Sequence, residues 1–419
     1  MSSAVRRHYE QVQQAGDRFF AARAPELASA CWGMARRFHG GGRLFVHGDA
    51  GASFSDAQHN AVEFIHPVLV GKRALPAVAV PDARWLDAMA GAKDIRMRVR
   101  PTEMVVDEQV FQVDTEDAFV GQEILETAYH ELWELVHVFF EHEGLLSEGS
   151  AEEVCLTCGD VAVQGSLLTL EGSRGLVRTP LGEEEVDVSL IEAPKLGDLL
   201  LCHGGVAIDR VKPIDQFSQE FYPFLTNEAV DAATVLADVA RSVVIKWEEV
   251  AAIRRATPLD AVEEALTATL RPRVRAGATV LTFGNGGSAT DAADLAADLQ
   301  SIGVPALDLS GEPAVITAIG NDVGFEEIFA RQVIALGRPG DVAVGITTSG
   351  RSANALRALR QARKQGLATI ALAGYGGGDL KREDGLDHLL VTDSTYIPRI
   401  QEAQATIYHA LVRGLEEDR

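Results

Sequence analysis

The chain carries one pattern twice, near its start and again after its middle. Residues 34–64 read MARRFHGGGRLFVHGDAGASFSDAQHNAVEF, and residues 269–299 read TLRPRVRAGATVLTFGNGGSATDAADLAADL. Each runs from a helix end through a glycine turn into an apolar strand, a loop of small residues and a second helix. The signature S-x-x-D-A falls in both, at Ser53–Ala57 and Ser288–Ala292. A chain of 419 residues has room for two or three domains. The repeat places an α/β unit at each end, over 1–150 and 227–419, and leaves 151–226 for something different.

Charge narrows the partners. The formal net charge is −23, and no cluster of Lys or Arg interrupts it, which argues against nucleic acid and against an anionic membrane surface. No apolar run approaches the roughly 20 residues of a membrane span. The opening MSSAVRRHYEQVQQAG reads as a polar helix and not as a signal peptide. Four cysteines, Cys31, Cys155, Cys158 and Cys202, are few for this length and fit a reducing cytoplasm.

The C-terminal unit is the clearer of the two. Strand-like runs TVLTFG, ALDLS, DVAVGIT, TIALAG and HLLVT alternate with helix-like runs, the pattern of a doubly wound parallel sheet. After DVAVGIT the hydroxyls of Thr347, Thr348, Ser349 and Ser352 gather before a helix that starts near Asn354. Hydroxyls and free backbone N–H groups at a helix N-terminus suit a phosphate dianion. A helix cap alone needs one hydroxyl.

The segments GNGGSATDA, IGNDVGFEEIF, GITTSGRSANAL and RIQEAQATIYH, in this order, resemble the SIS-domain sugar isomerases, and among them the phosphoheptose (sedoheptulose 7-phosphate) isomerase branch. The resemblance spans about residues 228–416. It implies a flavodoxin-like fold with a sugar phosphate in the Ser/Thr loop and Asn285, Ser288 and Asp322 along the sugar. It also implies a zinc-binding, acid–base cluster at Asp294, Asp298, Gln401 and His409. The branch has His and Glu where Asp294 and Asp298 stand, and an acidic residue where Pro398 stands. The resemblance therefore supports sugar-phosphate binding more directly than turnover. Active sites in this family form where SIS units meet, so the two ends of the chain are expected to pair as an internal pseudodimer, and the protein to form a homo-oligomer.

The N-terminal unit reads as a degenerate version. Its loop GDAGAS is one residue longer than GNGGS, Asp49 adds a negative charge, and no second Ser/Thr-rich loop follows. The span from Glu63 to His137 is short enough to lack a strand–helix pair. Yet His59 and Glu63 stand four apart on one helix face. His137 takes the position of the family's late histidine, with His130 nearby. Histidine and carboxylate from two helices suit zinc or acid–base work. One half thus keeps the phosphate loop and the other keeps the better metal or acid–base residues.

Residues 151–212 read differently. Short alternating runs, DVAVQGSLLTL, GLVRTP, EEVDVSLI and DLLLCHGGVAI, predict a small closed barrel. The stretch VCLTC at 154–158 has three readings. One is a zinc site with Cys202 and His203, and another is a redox pair without the usual βαβ context. The third is a resemblance: C-L-x-C-G-x-V, VSLI and K-L-G-D-x-L-L-x-H-x-G-x-A-I-D are similar to the HypC/HupF family of [NiFe]-hydrogenase formation chaperones. That resemblance implies an iron unit with cyanide and CO ligands on Cys155, His203 as the motif histidine, and a HypD-like protein and the hydrogenase large subunit as partners. In this chain Cys155 is internal, with no free α-amino group beside it. Two functions follow: a hydrogenase-maturation factor whose SIS units bind a phosphosugar, or a sedoheptulose 7-phosphate isomerase that carries the barrel as a docking domain.

Overall fold

The run LFVHG is buried along its whole length, as a strand must be that has helices on both faces. In the computed structural model, which describes residues 3–49, 51–67, 72–146, 163–179, 182–189, 191, 193–203, 206–210 and 231–417, it forms β1 (Leu44–Gly48). β1 lies between β2 (Ala77–Val80) and β3 (Ile95–Arg100), parallel to both. β4 (Glu103–Val106) and β5 (Gln109–Gln112) extend the sheet as antiparallel strands, in the order β2-β1-β3-β4-β5. The N-terminal unit is therefore a mixed sheet, which corrects the expectation of a doubly wound unit at both ends. The physical reason is the turns. Only Pro101 and Thr102 separate β3 from β4, whereas a parallel crossover needs a dozen residues or more. Asp107, at φ +53°, closes the next hairpin. Around this sheet stand α1 (Ala4–His39), α2 (Ala52–Ile65), α3 (Ala83–Met89) and α4 (Ala118–Phe140).

Strands β6 (Val163–Glu171), β7 (Arg174–Thr179), β8 (Gly182–Asp187), β9 (Leu199–His203) and β10 (Val206–Arg210) close on themselves in the order β10-β8-β7-β6-β9. Leu167, Val177, Val186, Leu200 and Ala207 fill the interior, and Cys202 packs among them. Cys155 and Cys158 lie outside the described residues, and so does the side chain of His203.

The C-terminal unit begins with α5 (Ala232–Ala256) and α6 (Leu259–Glu264), which runs through a π-helical stretch into α7 (Arg271–Arg275). Its sheet is parallel throughout, in the order β12-β11-β13-β14-β15: β11 (Val280–Phe283), β12 (Ala306–Asp308), β13 (Val342–Thr347), β14 (Ala368–Ala373) and β15 (His388–Val391). The C-terminal unit is thus the doubly wound parallel sheet that its alternating strand-like and helix-like runs predict. The helices between strands are α8 (Gly287–Ser301), α9 (Pro313–Asp322), α10 (Ile328–Leu336) and α11 (Ala353–Lys364), and α12 (Ile397–Glu416) follows the last strand. No helix among the described residues is long and apolar enough to cross a membrane.

The two end units exchange helices. Val5 and Tyr9 of α1 belong to the core of the C-terminal unit, while Val235, Val239, Val243, Trp247 and Val250 of α5 belong to that of the N-terminal unit. A boundary near residue 227 divides the sequence but not the packing. α2 and α4 face α8 and α12 across a shared helical layer between the two sheets.

The α1–α5 contact is tight at Gly16, where an added Cβ would fall 2.1–2.7 Å from the Trp247 ring. The indole cannot yield easily. It stacks on Phe20 at 4.9 Å and its N–H donates to Asp17 at 2.8 Å. Gly16→Val should therefore lose about 1–3 kcal/mol in urea unfolding through overpacking. An unchanged midpoint would show that the two helices slide freely.

Candidate composite site between the two units

Two helices in the shared layer carry the same spacing of polar residues. α4 reads QEILETAYH from Gln122 to His130, and α12 reads QEAQATIYH from Gln401 to His409. This second repeat pairs Gln122 with Gln401, Glu123 with Glu402 and His130 with His409. It makes His130, not His137, the late histidine of the N-terminal unit.

At one end of the layer, His59 on α2 faces His130 on α4, with the two Nε2 atoms 3.4 Å apart. Glu63, one turn along α2, brings Oε1 within 3.8 Å of His59 Nε2. The fourth group comes from the other unit: Gln401 Nε2 lies 3.0 Å from His59 Nε2. The small-residue loop of the C-terminal unit closes over them. A side-chain carbon on Gly287 would fall 1.9 Å from Gln401 Nε2 and 2.8 Å from His59 Nε2, so any larger residue there would have to displace the Gln401 amide. All four side chains are buried. Burial, and then the neighbouring His130, push His59 well below the ordinary imidazole range. Burial raises Glu63 to about 7, with His130 pulling against it.

This donor set fits a divalent cation. Two bonds of about 2.0–2.1 Å at a tetrahedral angle put imidazole nitrogens about 3.3–3.4 Å apart, the separation found here. Glu63 Oε2 and Gln401 Oε1 are buried without a hydrogen-bond partner. The Gln401 amide, turned about its last bond, would present that oxygen to the histidines. Behind the site, Asp291 Oδ1 stands 3.6 Å from His59 Nδ1, and burial with the charges of Glu63 and Asp56 lifts this carboxyl well above its usual range.

The pseudosymmetric position holds Asp294, Asp298, His409 and Gln122, which pair mainly with one another and with Glu123, although Asp298 Oδ2 and His409 Nε2 make no hydrogen bond. Gln122 donates to Asp294 Oδ2 at 3.0 Å, and Ser55 donates to Oδ1. His409 sits between two carboxylates, with Nε2 3.3 Å from Asp298 and Nδ1 3.0 Å from Glu123. Burial opposes charge on His409, but Asp298 and Glu123 outweigh it and hold the ring at about 9. Glu123 also takes His8 Nε2 at 2.6 Å and the Thr406 hydroxyl. An imidazolium, fixed by its own carboxylates, fills this position.

The Ser/Thr loop lies on the side of the first site. Strands β11 and β13 are neighbours at the point where the strand order reverses, the place where open α/β sheets bind ligands. Asn285 and Asn354 bridge the loops after these strands with reciprocal amide bonds of 2.9 and 2.8 Å. Thr347 Oγ1 is 3.1 Å from Ser352 Oγ, and the Arg351 N–H donates to Ser349 Oγ. Thr348 anchors the turn by accepting the Gly374 N–H at 2.9 Å. Ser352 stands at the N-cap of α11, yet its hydroxyl does not cap the helix. Gln404, one turn past Gln401 on α12, donates to the Thr347 carbonyl at 3.3 Å and links loop to site. Ser288 is buried at the start of α8.

Two sequence candidates stand elsewhere. Asp322 is exposed at the end of α9, which packs on α10 and on the turn at 325–327. His137 is buried against Trp133 and Phe140, with its ring nitrogens 2.8 Å from the Trp133 carbonyl and 2.9 Å from that of Arg73.

The SIS domain family matches residues 247–374. The phosphoheptose isomerase of Rhodospirillum rubrum is 45% identical over 151 residues, 35% of this chain and 79% of the relative. That of Paramagnetospirillum magneticum is 49% identical over 148 residues, 34% of this chain and 76% of the relative. The chain thus belongs to the SIS-domain proteins, and within them to the phosphoheptose isomerase family. The C-terminal domain of glucosamine-fructose-6-phosphate aminotransferase from Francisella tularensis aligns over 100% of this chain and 96% of its own, with a TM-score of 0.54. At 9% identity that likeness is one of fold.

His137 gives a measurable pH dependence. Burial lowers its pKa to about 4, below the roughly 6.5 of an unfolded histidine. The unfolded chain then takes up the proton first, so this contribution is complete above about pH 6.5 and declines toward pH 4. Between pH 7 and pH 5 the loss should approach about 2 kcal/mol. His137→Gln should flatten stability over that window in urea titrations. Identical slopes in both proteins would contradict the burial of the ring.

Proposed function

We propose that the chain is an aldose–ketose sugar-phosphate isomerase with one complete active site, assembled from both halves. The observation that carries this reading is the contact of Gln401 and Gly287, from the C-terminal unit, with His59 of the N-terminal unit. It joins the half with the phosphate loop to the half with the histidine–glutamate pair. The relatives named phosphoheptose isomerase favour sedoheptulose 7-phosphate as the substrate.

The roles follow from the chemistry of the groups. Backbone N–H groups and the hydroxyls of Thr347, Thr348, Ser349 and Ser352 receive the phosphate, and Asn285 and Ser288 line the sugar. His59, His130 and Gln401 would hold zinc, which polarises a carbonyl when bound. Glu63 takes the proton from the carbon beside the carbonyl and returns it to the neighbouring carbon. Its carboxyl, lifted by burial to about 7, is suited to both halves of that exchange near neutral pH. Asp294, Asp298 and His409 serve as the buried counterpart that keeps the two units paired.

The hydrogenase-maturation reading has no support from the matched family or the relatives, and the isomerase reading replaces it. Residues 151–226 then act as a docking module, with their likeness to hydrogenase-formation chaperones resting on sequence motifs.

Turnover of sedoheptulose 7-phosphate tests the proposal. His59→Ala, Glu63→Gln and Ser349→Asp should each lose about 100-fold or more in kcat/KM, while Asp294→Asn should keep most activity. Loss on Asp294→Asn with retention on His59→Ala would reverse the assignment of the working site.

A further inference from the structure

The composite-site reading leaves unexplained a buried charge cluster behind His130. Glu402, on α12 of the opposite unit, places Oε1 3.0 Å from His130 Nδ1. The same carboxylate is gripped by Arg399, whose Nη1 donates to Oε1 at 2.6 Å and to Oε2 at 2.9 Å. Arg399 is 1% exposed, and its Nη2 donates to Glu131 at 3.1 Å. Arg254 fixes the backbone at this point by donating to the Glu402 carbonyl at 3.1 Å.

This arrangement dictates a tautomer. A guanidinium can only donate, so both Glu402 oxygens act as acceptors. His130 Nδ1 must then carry a hydrogen, so that a neutral His130 keeps its bare lone pair on Nε2. That lone pair is directed at His59 Nε2, 3.4 Å away. Glu123 holds His409 Nδ1 in the pseudosymmetric position, but there the far nitrogen meets Asp298 and not another imidazole. One carboxylate device thus serves two ends: a locked imidazolium at His409 and an open donor at His130.

We propose that Glu402, clamped by Arg399, is a positioning residue of the composite site, which fixes His130 as the Nδ1–H tautomer so that Nε2 is available to a cation or to substrate. This inference rests on the composite-site reading and deepens it. Carboxylates that orient a metal-binding histidine in this way typically change metal affinity about 10- to 100-fold when removed.

The test uses the purified full chain. Nitrogen-15 histidine spectra of the metal-free protein, with His130 assigned by its loss in His130→Gln, should show Nδ1–H and a bare Nε2. A Glu402→Gln side chain can donate as well as accept, so the His130 signal should move to a mixture of tautomers. Zinc affinity, measured by competition with a fluorescent chelator, should fall about 10- to 100-fold. Glu402→Asp should recover part of both, and serves as the folded variant if Glu402→Gln does not fold. An unchanged tautomer in a folded Glu402 variant would overturn the proposal, whatever its zinc affinity. Failure of the wild-type chain to take up zinc would instead overturn the metal reading of the site, while the tautomer spectrum still decides the role of Glu402.

Discussion

Everything at this site depends on the packing of α2 against α8, two helices from opposite ends of the chain. Each follows the first strand of its own sheet, and each starts with a small-residue loop that must fold flat. At the ends of β1 and β11, added Cβ atoms on Gly48 and Gly284 would fall 1.6 Å from the Ser53 carbonyl oxygen and 2.1 Å from that of Ser288. Glycine lets both helices begin directly above the strands. Their flanks can then meet with polar residues turned inward, and α4 and α12 complete the layer. The exchange of α1 and α5 between the two cores ties the units together along the same line.

The result is a helical layer that buries many titratable groups, and desolvation sets its chemistry. A buried charge survives only with a partner. Where the chain supplies carboxylates on both sides, as around His409, the ring is charged and the cluster is closed. Around His59, where a second histidine and a glutamine stand within hydrogen-bond reach and the carboxylates of Glu63 and Asp291 lie farther off, Glu63 Oε2 and Gln401 Oε1 are left without partners. The two positions share one backbone plan, and the clearest difference between them is on the helix after the first strand: His59 and Glu63 against Asp294 and Asp298. That difference sets a histidine pair at one position against a histidine–carboxylate pair at the other.

Much of this was legible in sequence. The five strand-like runs of the C-terminal unit coincide with β11–β15, because parallel buried strands are written as unbroken apolar segments. His59 and Glu63 were identifiable from helical spacing alone. The resemblance puts the late histidine at His137, whereas in the structure His130 faces His59 and His137 packs on Trp133 and Phe140. The signal that corrects it was present, since Gln122, Glu123, Tyr129 and His130 repeat Gln401, Glu402, Tyr408 and His409 in order. The antiparallel hairpin over β4 and β5 has no plain sequence signal, because it depends on a two-residue turn and on Asp107 in a left-handed conformation. The cross-unit contact of Gln401 with His59, separated by 342 positions, follows from packing that no local pattern encodes.

The central claim is that one complete site is built from both halves, and diffraction from zinc-loaded protein at the zinc absorption edge tests it most directly. The account predicts one anomalous peak per chain in the SIS units, between His59, His130 and Gln401. A peak among Asp294, Asp298 and His409, with none beside His59, would contradict it.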